Sequence, residues 1–464
     1  MYGTAFTLAL LDGKLEEHRV ADRCDLRLAT PGEGTTIGPF SMRFLRVTHS
    51  IPDGMAVAID TPFGTLLHTG DFKIDQTPLD GRPTDLHGLA EEASTGKGVH
   101  LLLSDSTNAE EAGYTSSERS VGPVLHRIIE QAPQIVVAAC FSSHIHRIQQ
   151  VVDAARANER LVAFLGRSMH TSVAAARRLG LLHVPDEDVV LIEEVDRLDP
   201  GRVVVVCTGS QWEPYSALSL MAAREHKWVK LKEGDTVVLS SSLIPGNEPA
   251  IHRVVDSLYR SGADVYHMPA DAVHASGHAA QEELRLMLSL VRPRWFVPIH
   301  GERRHLQHHA RLAVDVGIPP DHILICEDGD VVEVGETCEI VERVQAGMTF
   351  VDGLGIGDVG TEVLRDRRKL AGDGVVVVVV TVDAQDGHLL AGPDLVNRGF
   401  VYDETSGDIL EEARKRVMLS LEESAQARVT DPSALQQNVR RVLGKYFYEI
   451  TQRKPVILPV IMEV

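Results

Sequence analysis

The sequence predicts an α/β protein that carries a small α+β domain at its C-terminal end, and three observations lead to this class. Short β-branched or leucine-rich runs, each ended by Gly, Pro, Asp or Asn, fill the chain up to about residue 105. Apolar runs then alternate with helical stretches between residues 116 and 272, which is typical of βαβ units and a parallel sheet. After a glycine-rich junction at residues 346–360, the tail again mixes strand and helix signals. A length of 464 residues leaves room for about three domains.

Each element follows from its local pattern, taken in chain order. The β-rich part predicts strands at residues 42–48, 55–60, 65–69 and 99–103. In the alternating part, apolar runs such as IVVAAC and VVVVC precede predicted helices at 144–157, 169–179, 217–225 and 250–260. A further helix at 279–290 leads into a strand at 295–299. The tail predicts a strand at 375–382, more β-structure near Phe400, helices at 408–421 and 432–450, and a last strand at 455–462. The valine run that opens this tail marks a buried central strand.

Composition and charge exclude several classes of protein. Apolar residues make up 44% and charged residues 24%, as in ordinary globular domains, so collagen-like, fibrous and disordered proteins are excluded. The 46 basic and 66 acidic residues give a net charge of −20. A uniformly acidic surface repels nucleic acids and anionic membranes. A polyanionic partner therefore requires a locally basic groove.

The cysteines and the N-terminus indicate the compartment. Five cysteines are scattered without a CxxC pair, which argues against a disulfide framework and a cysteine zinc site and favours the reducing cytoplasm. The N-terminus has no basic region followed by a cleavage site. The most apolar run, 375–380, is far shorter than the roughly 20 residues of a membrane helix. The sequence therefore predicts a soluble cytoplasmic protein without membrane contact.

The strongest chemical signal is a polar residue at the end of each of four apolar runs. The runs are FLRVTHS, TLLHTGDFK, LLLSDSTN and WFVPIHGE, and the residues are His49, Asp71, Asp105 and His300. Strand ends on one edge of a sheet are where sites assemble. Histidine and carboxylate ligands suit Zn²⁺ or Mn²⁺, which a hydrolase uses to activate water and to polarise a phosphoryl or carbonyl oxygen. Each residue taken alone is more often a turn or capping residue than a site residue, but the set of four favours a site.

A second cluster lies in VHASGHAAQEEL, where His274, Ser276, Gly277 and His278 precede a helix. Backbone donors and histidines at a helix N-terminus form an anion cradle. An ordinary Ser-Gly turn with two unrelated histidines is the alternative.

A third cluster, CFSSHIHRIQQVV, predicts a buried strand and then a helix capped by Ser142 and Ser143. A phosphate would sit well against the backbone N–H groups of Ser143, His144 and Ile145. Most such caps bind nothing, so a plain helix start is the alternative here.

Three further segments are weaker candidates. The loops TGSQWEP at 208–214 and the serine run at 240–242 follow strands of the same sheet, and they either line a nucleotide groove or form satisfied turns. In GERRHLQHHARL, the histidines are expected on a solvated helix face and not at a metal; they are His305, His308 and His309. Arg303 and Arg304 are the better candidates there for phosphate contact.

Taken together, the segments resemble the metallo-β-lactamase-fold nucleases with an inserted β-CASP domain, and specifically the bacterial ribonuclease J family. The matching segments are VTHSIPD, HTGDFK, LLLSDSTNAEEAGYTSSE, CFSSHIHRIQQ, TGSQWEPYSAL, SSSLIPGNE, VHASGHA, VPIHGERRHL, VDGLGIGDVG and RKPVILPVIMEV. They run in family order across essentially the whole chain, and so many long motifs in order are highly specific.

The resemblance implies a fold and a division into domains. The fold is a metallo-β-lactamase αββα sandwich interrupted by a β-CASP α/β domain and followed by a small α+β domain. The implied boundaries are 1–115 for the first metallo-β-lactamase part, 116–275 for the β-CASP domain, 276–350 for the second metallo-β-lactamase part, and 351–464 for the linker and C-terminal domain.

The resemblance also implies an activity and its partners. Family members resemble zinc-dependent hydrolases with two ions per site, with Mn²⁺ or Mg²⁺ as substitutes, that act on single-stranded RNA bearing a 5′-monophosphate. Their activities are 5′–3′ exonucleolytic and endonucleolytic, in mRNA decay and rRNA maturation. A homodimer or tetramer and RNA-decay partner proteins are expected.

Individual roles carry over by matching positions. His49, Asp71 and His300 match metal ligands, with Asp71 bridging both ions, and Asp71, Asp105 and His278 are the implied catalytic residues. The positions that match nucleotide-contacting loops are Ser143, His144, Ile145, His274, Ala275, Ser276, Gly277 and His278. Asp352 matches a ligand of a structural calcium ion.

One departure from the family pattern keeps a second interpretation open. The family's HxHxDH motif, which supplies most of the metal ligands, does not occur in this sequence, and by analogy it is expected before Tyr2. Three remaining ligands would hold a dinuclear centre weakly. A catalytically inactive RNA-binding or scaffold subunit is therefore the alternative to an active enzyme, although such a subunit has no obvious use for the retained site residues. A β-CASP relative that acts on DNA is a third, weaker interpretation.

Overall fold

The computed structural model describes residues 1–209, 216–241, 248–347, 349, 351–352, 355–357, 360–400 and 407–464. The chain divides into two compact units, Met1–Gln345 and Ala346–Val464. The predicted α/β class, with a C-terminal α+β part, is confirmed.

The first part of the larger unit is built mainly from strands, because β-branched and leucine-rich runs are cut by turn residues. Its elements are β1 (Tyr2–Gly3), α1 (Ala5–Glu17), β2 (Arg27–Leu28), β3 (Gly34–Ile37), β4 (Phe40–Arg46), β5 (Met55–Thr61), β6 (Gly64–His68), α2 (Leu86–Ser94) and β7 (Val99–Asp105). The apolar start of the chain is thus a two-residue strand followed by a helix.

The middle of this unit is a βαβ domain. Its elements are α3 (Val121–Gln131), β8 (Val136–Ala139), α4 (Ile145–Ala157), β9 (Leu161–Leu165), α5 (Arg167–Arg178), β10 (Val203–Cys207), α6 (Ala217–Ala222), β11 (Thr236–Leu239), α7 (Glu248–Arg260) and β12 (Asp264–His267). All five strands run parallel, in the order β12-β11-β8-β10-β9. Apolar clusters cover both faces of this sheet, which explains why its strands are continuous runs of valine and alanine.

The remaining elements of the unit include one more strand of the first sheet and a separate β-hairpin. They are α8 (Gln281–Val291), β13 (Trp295–Ile299), α9 (Arg303–Asp315), β14 (Asp330–Val334) and β15 (Cys338–Arg343). Strand β13 adds to β7, giving a six-stranded sheet in the order β13-β7-β6-β5-β4-β3. Within it β13, β7 and β6 are parallel, and the other pairs are antiparallel. Helices α2, α8 and α9 bury their apolar faces against this sheet.

The smaller unit consists of β16 (Val351–Asp352), β17 (Gly355–Ile356), α10 (Thr361–Asp373), β18 (Val375–Val382), β19 (Leu389–Arg398), α11 (Gly407–Gln426), α12 (Pro432–Thr451) and β20 (Val456–Glu463). The valine run is the central strand of the sheet β19-β18-β20, as predicted. It is buried on one face only, where Val376, Val378, Val380 and Val382 pack with α11 and α12.

Several elements were not predicted, among them helices α2, α3 and α10, strand β12 and the β14–β15 hairpin. Helix α10 has no buried residue. Its sequence, TEVLRDRRKLAGD, holds few apolar residues, so the apolar pattern that predicts a helix is sparse there.

Candidate metal centre and active site

Five polar side chains of the larger unit meet at one edge of the six-stranded sheet. His49 follows β4, Asp71 follows β6, Asp105 ends β7 and His300 follows β13. The parallel register pairs Ile299 with Asp105, so neighbouring strands end together. The fifth side chain, His278, comes from the loop before α8.

The distances within this group are short. Nε2 of His49 lies 3.8 Å, and Nε2 of His300 lies 3.5 Å, from the same carboxylate oxygen of Asp71. The His278 ring lies 4.9 Å from that of His49 and 5.4 Å from that of His300, centroid to centroid. Among the described residues, ligand-type atoms gather within 4.8 Å in two sets that share His278: with His49 and Asp71, and with Asp105 and His300. The structure therefore brings together the residues that the strand-end pattern singled out.

The chemistry of these donors fits a zinc ion. Zinc takes imidazole nitrogen and carboxylate oxygen, and its histidine ligands usually donate their other N–H to a protein oxygen. Nδ1 of His49 donates to the Gly277 carbonyl at 2.9 Å, which leaves Nε2 to face Asp71. His49, Asp71 and His300 can therefore hold a cation on the exposed side of the cluster, where Asp71 and His300 are about half exposed.

His300 occupies an unusual backbone conformation at the end of β13. Its φ is 56°, in the left-handed region that residues with a side chain rarely adopt. Such conformations cluster at functional sites, where the surrounding structure imposes them.

Asp105 serves a different purpose from Asp71. Its side chain is 1% exposed, and both oxygens accept hydrogen bonds. Thr107 donates its N–H and its hydroxyl to Oδ1 at 3.0 and 2.7 Å, and Phe72 N–H donates to Oδ2 at 3.3 Å. Nδ1–H of His278 donates to the same Oδ2 at 2.7 Å. Asp105 therefore orients His278 and leaves its Nε2 free to face the site.

The two partners shift each other's pKa. Burial on its own lowers the pKa of His278, but the hydrogen bond and the negative charge of Asp105 outweigh it, so the pKa of His278 is raised. Burial favours the neutral form of Asp105, yet the hydrogen bond and charge of His278 together with the Thr107 hydrogen bonds outweigh it, so the pKa of Asp105 is lowered. Burial lowers the pKa of His49, which keeps that ring neutral and suited to a metal.

Replacing Asp105 with asparagine should lower the pKa of His278 in the metal-free protein, because the charge of Asp71 is then the remaining one that opposes the effect of burial. Histidine-selective NMR titration measures this directly. The matched control is Glu110→Gln, which removes a carboxylate that pairs with Arg304. An unchanged His278 pKa in Asp105→Asn would contradict the orienting role.

The loop that carries His274 to His278 is held by residues that the sequence reasoning missed. Nδ2 of Asn108 donates to Ser276 Oγ at 2.8 Å and to the His278 carbonyl at 3.0 Å. The Thr115 hydroxyl donates to the same carbonyl at 2.7 Å. Both lie in the polar stretch after Asp105, and the density of Ser, Thr and Asn there was the available signal.

Position 277 requires glycine, because the loop backbone there lies against His49 and Ser50. A Cβ at this position would overlap the His49 ring and the Ser50 hydroxyl. The loop backbone can therefore reach His49 only with glycine at 277.

The segment before α4 differs from the prediction. The helix starts at Ile145 with His144 as N-cap and without a side-chain capping bond, so Ser142 and Ser143 do not cap it. The N–H of His144 donates to Phe141 O at 3.1 Å, and that of Ile145 donates to Ser143 O at 2.9 Å. The expectation that these two N–H groups are free for a phosphate was wrong, because a tight turn precedes the helix.

A buried ionic network joins this segment to the His274 loop. Arg147, 0% exposed, donates to Glu118 Oε1 at 2.5 Å, to the Val273 carbonyl at 2.7 Å and to the Ser240 hydroxyl. His144 Nε2 lies 3.2 Å from Glu118, and the His144 and His274 rings are 6.4 Å apart. The structure thus brings the two predicted nucleotide loops side by side.

The histidines of this region are held neutral. Burial lowers the pKa of His144 to about 4 and that of His274 to about 3. Ala275 is buried between the polar members of its loop.

The prediction for the histidine-rich helix α9 was wrong for two of its three histidines. His305 and His309 are buried, and only His308 is half exposed. Nδ1 of His309 lies 3.0 Å from Ser106 Oγ, and burial lowers its pKa to about 3. Both lie on the face that carries Leu312, so their helical spacing was the missed signal.

The two arginines of α9 face carboxylates. Arg304 pairs with Glu110 and with Glu302, the latter at 2.9 Å, and Arg303 lies 3.5 Å from Glu327. Phosphate contact by either arginine stays a prediction.

Some expectations lie outside the described residues. These are most of the TGSQWEP loop, Ser242 of the serine run, and the side chain of Asp352. The calcium ligand at Asp352 therefore stays a prediction.

The helices also bear on membrane spanning. Among the described residues, helices with enough length and apolar character to cross a bilayer were not found.

Comparisons with known proteins agree with this geometry. Three family models match: "Ribonuclease J, beta-CASP domain" at residues 133–258, "Zn-dependent metallo-hydrolase RNA specificity domain" at 268–323, and "Ribonuclease J C-terminal domain" at 362–464. The fold and the site together define a zinc-dependent metallo-hydrolase with an inserted β-CASP domain.

Sequence identity to individual relatives shows the family of this chain. The chain is 45% identical to Ribonuclease J of Mycobacterium tuberculosis, 42% to Ribonuclease J of Thermus thermophilus and 40% to Ribonuclease J2 of Bacillus subtilis. These matches cover 100% of this chain and 82%, 79% and 83% of the relatives, respectively. The chain belongs to the ribonuclease J family, and the resemblance stated from the motifs is confirmed.

Proposed function

We propose that this chain is a metal-dependent ribonuclease that hydrolyses phosphodiester bonds of single-stranded RNA. The observation that carries the proposal is that Nε2 of His49 and Nε2 of His300 lie 3.8 and 3.5 Å from the same Asp71 oxygen, beside the Asp105–His278 pair. Its relatives are named ribonucleases, and one matching family model is described as an RNA specificity domain. We further propose 5′–3′ exonucleolytic action from a 5′-monophosphate and endonucleolytic action, in mRNA decay and rRNA maturation in the cytoplasm.

The metal proposed for this site is zinc, two ions per chain, with Mn²⁺ or Mg²⁺ as substitutes. His49, Asp71 and His300 would be its ligands, with Asp71 shared between the ions. Zinc bound there supplies Lewis acidity that activates water and stabilises charge on the phosphoryl group.

The chain's own residues would complete the reaction. Water oxygen would form the new bond to phosphorus as the ester P–O bond breaks. The attacking water gives up a proton to bulk water, and the leaving oxygen takes up a proton. His278 can donate that proton from Nε2, since Asp105 holds its Nδ1–H at 2.7 Å and compensates its positive charge.

The RNA strand is proposed to run along the two adjacent loops at 143–145 and 274–278. The N–H of Ser143 and the side chains of His274, Ser276 and His278 are the groups proposed to contact it. Buried His144, Ile145 and Ala275 would shape the loops and not touch the substrate. Assembly into a dimer or tetramer, binding of decay proteins and a calcium ion at Asp352 are further proposals.

An inactive RNA-binding or scaffold subunit is the second candidate. Such a subunit would need the two adjacent loops and not a full set of metal ligands, of which the given residues hold three.

Zinc content and RNA hydrolysis of the purified chain decide between these functions. Elemental analysis after zinc loading should give about two ions per chain, as expected of a two-metal hydrolase. A 5′-monophosphorylated single-stranded RNA should be shortened, and Asp71→Asn should abolish both zinc retention and hydrolysis.

Three other results would each contradict one part of the proposed function. RNA binding without zinc or hydrolysis would overturn the enzyme and favour the scaffold. Equal cleavage of single-stranded DNA of the same sequence would overturn RNA specificity. Cleavage independent of the 5′ group would exclude the exonuclease proposal and keep the endonuclease.

A further inference from the structure

A buried carboxylate accepts hydrogen bonds from the backbone segments that carry residues of the candidate active site. Glu283, in the first turn of α8, has a relative exposure of 0%. Its two oxygens accept three backbone N–H groups from three separate segments. Oε1 accepts from Ile74 at 2.7 Å, and Oε2 accepts from Thr115 at 2.7 Å and from Ala280 at 2.9 Å.

Each of these segments carries a site residue. Ile74 is three positions after Asp71, and Ala280 is two positions after His278. Thr115 ends the loop that begins at Asp105, and its hydroxyl donates to the His278 carbonyl at 2.7 Å. One side chain thus ties together the backbones that present Asp71, Asp105 and His278.

Only a carboxylate satisfies all three donors. A buried charge is costly unless it is hydrogen-bonded, and bonds to an ionised acceptor are stronger than neutral ones. A glutamine could keep its oxygen toward Thr115 and Ala280, but its NH₂ group would then face the N–H of Ile74. The glutamine NH₂ group and the Ile74 N–H would then face each other without an acceptor between them. The segment after Asp71 would lose the hydrogen bond that holds it.

We propose that Glu283 is a positioning residue that fixes the spacing of the Asp71, Asp105 and His278 segments. It does not reach the substrate and acts through the backbone N–H groups of Ile74, Thr115 and Ala280. Its consequence for metal binding and turnover rests on the function proposed above, whereas its effect on the order of the backbone does not.

The test compares Glu283→Gln with Glu282→Gln. The control removes the same charge from the neighbouring position, where the carboxylate is 43% exposed and pairs with Arg285. Hydrogen–deuterium exchange of the metal-free proteins should show faster exchange in peptides covering residues 72–76 and 113–118 for Glu283→Gln alone. Zinc affinity, measured by chelator competition, should fall by about 10- to 100-fold. At a temperature well below unfolding, kcat should fall by a similar factor with KM unchanged.

A second variant covers the case that Glu283→Gln does not fold. Replacing the amide of Ile74 by an ester deletes one N–H and leaves every side chain in place, and it should show the same changes in smaller degree. Exchange, zinc affinity and kcat equal to those of the control in the folded variant would overturn the proposal. If the unaltered chain binds no zinc and cleaves no RNA, the proposed function fails, and the exchange measurement alone still decides the role of Glu283.

Discussion

Replacing His278 with alanine is expected to lower kcat for RNA hydrolysis by about 10²- to 10⁴-fold, the usual contribution of a positioned proton donor. The reason is geometric, since Asp105 holds Nδ1 at 2.7 Å and turns Nε2 toward the site. The protein should remain folded, because Thr107 and Phe72 still donate hydrogen bonds to the Asp105 carboxylate when the His278 ring is removed. Single-turnover kinetics with zinc-loaded enzyme, together with the thermal unfolding temperature, measure both effects.

The control for this variant is His308→Ala. His308 is 40% exposed, and its Nε2 lies 3.4 Å from Glu110, away from the cluster. Its removal should leave kcat unchanged. Unaltered turnover in His278→Ala would remove His278 from the reaction. Loss of zinc from that variant would identify it as a metal ligand and exclude the proton-donor role.

Replacing Arg147 with methionine should reduce the free energy of unfolding by about 3 to 5 kcal/mol, since it leaves a buried carboxylate without its main partner. The arginine is 0% exposed, and the Glu118 side chain is 9% exposed. In the unaltered chain His144 is neutral at pH 7, because burial lowers its pKa to about 4, so Arg147 supplies the positive charge that faces Glu118 there. Urea unfolding followed by circular dichroism measures the change.

A matched control lies on the same helix. Arg156, 46% exposed, pairs with Asp188 at 2.6 Å, and Arg156→Met should cost less than about 1 kcal/mol because water screens the pair. The double variant Arg147→Met, Glu118→Gln should recover much of the loss, because the unpaired charge is gone. Equal effects at positions 147 and 156 would show that the buried network contributes no special stability.

The sequence was informative about which residues belong to the candidate site and less so about their roles. His49, Asp71, Asp105 and His300 are each the polar end of an apolar strand, and that signal lies within a few neighbouring residues. The different roles of Asp71 and Asp105 were not readable in this way. They depend on exposure, 44% for the Asp71 side chain against 1% for that of Asp105, and on the donors that surround each carboxylate.

Two wrong predictions, for the histidines of α9 and for the serines before α4, came from reasoning on residue type alone. His305 and His309 were expected in water, because histidines on a polar helix usually are, but the face that they share with Leu312 packs inward. Ser142 and Ser143 have the composition of a helix cap, yet a turn satisfies the N–H groups that a phosphate would have used. Packing in the first case and a local backbone turn in the second overrode the preference of the residue type.

The sequence by itself determined the α/β class, the order of the strands and helices, the family and the strand-end residues, because each depends on local pattern or on motif order. Only the tertiary structure decided which atoms meet. Ile74 and Glu283 are 209 positions apart, and the ring of His49 bonds a carbonyl 228 positions away. Such contacts depend on the parallel register of distant strands and on the packing of α8 behind them, and residue types and their spacing along the chain do not specify either.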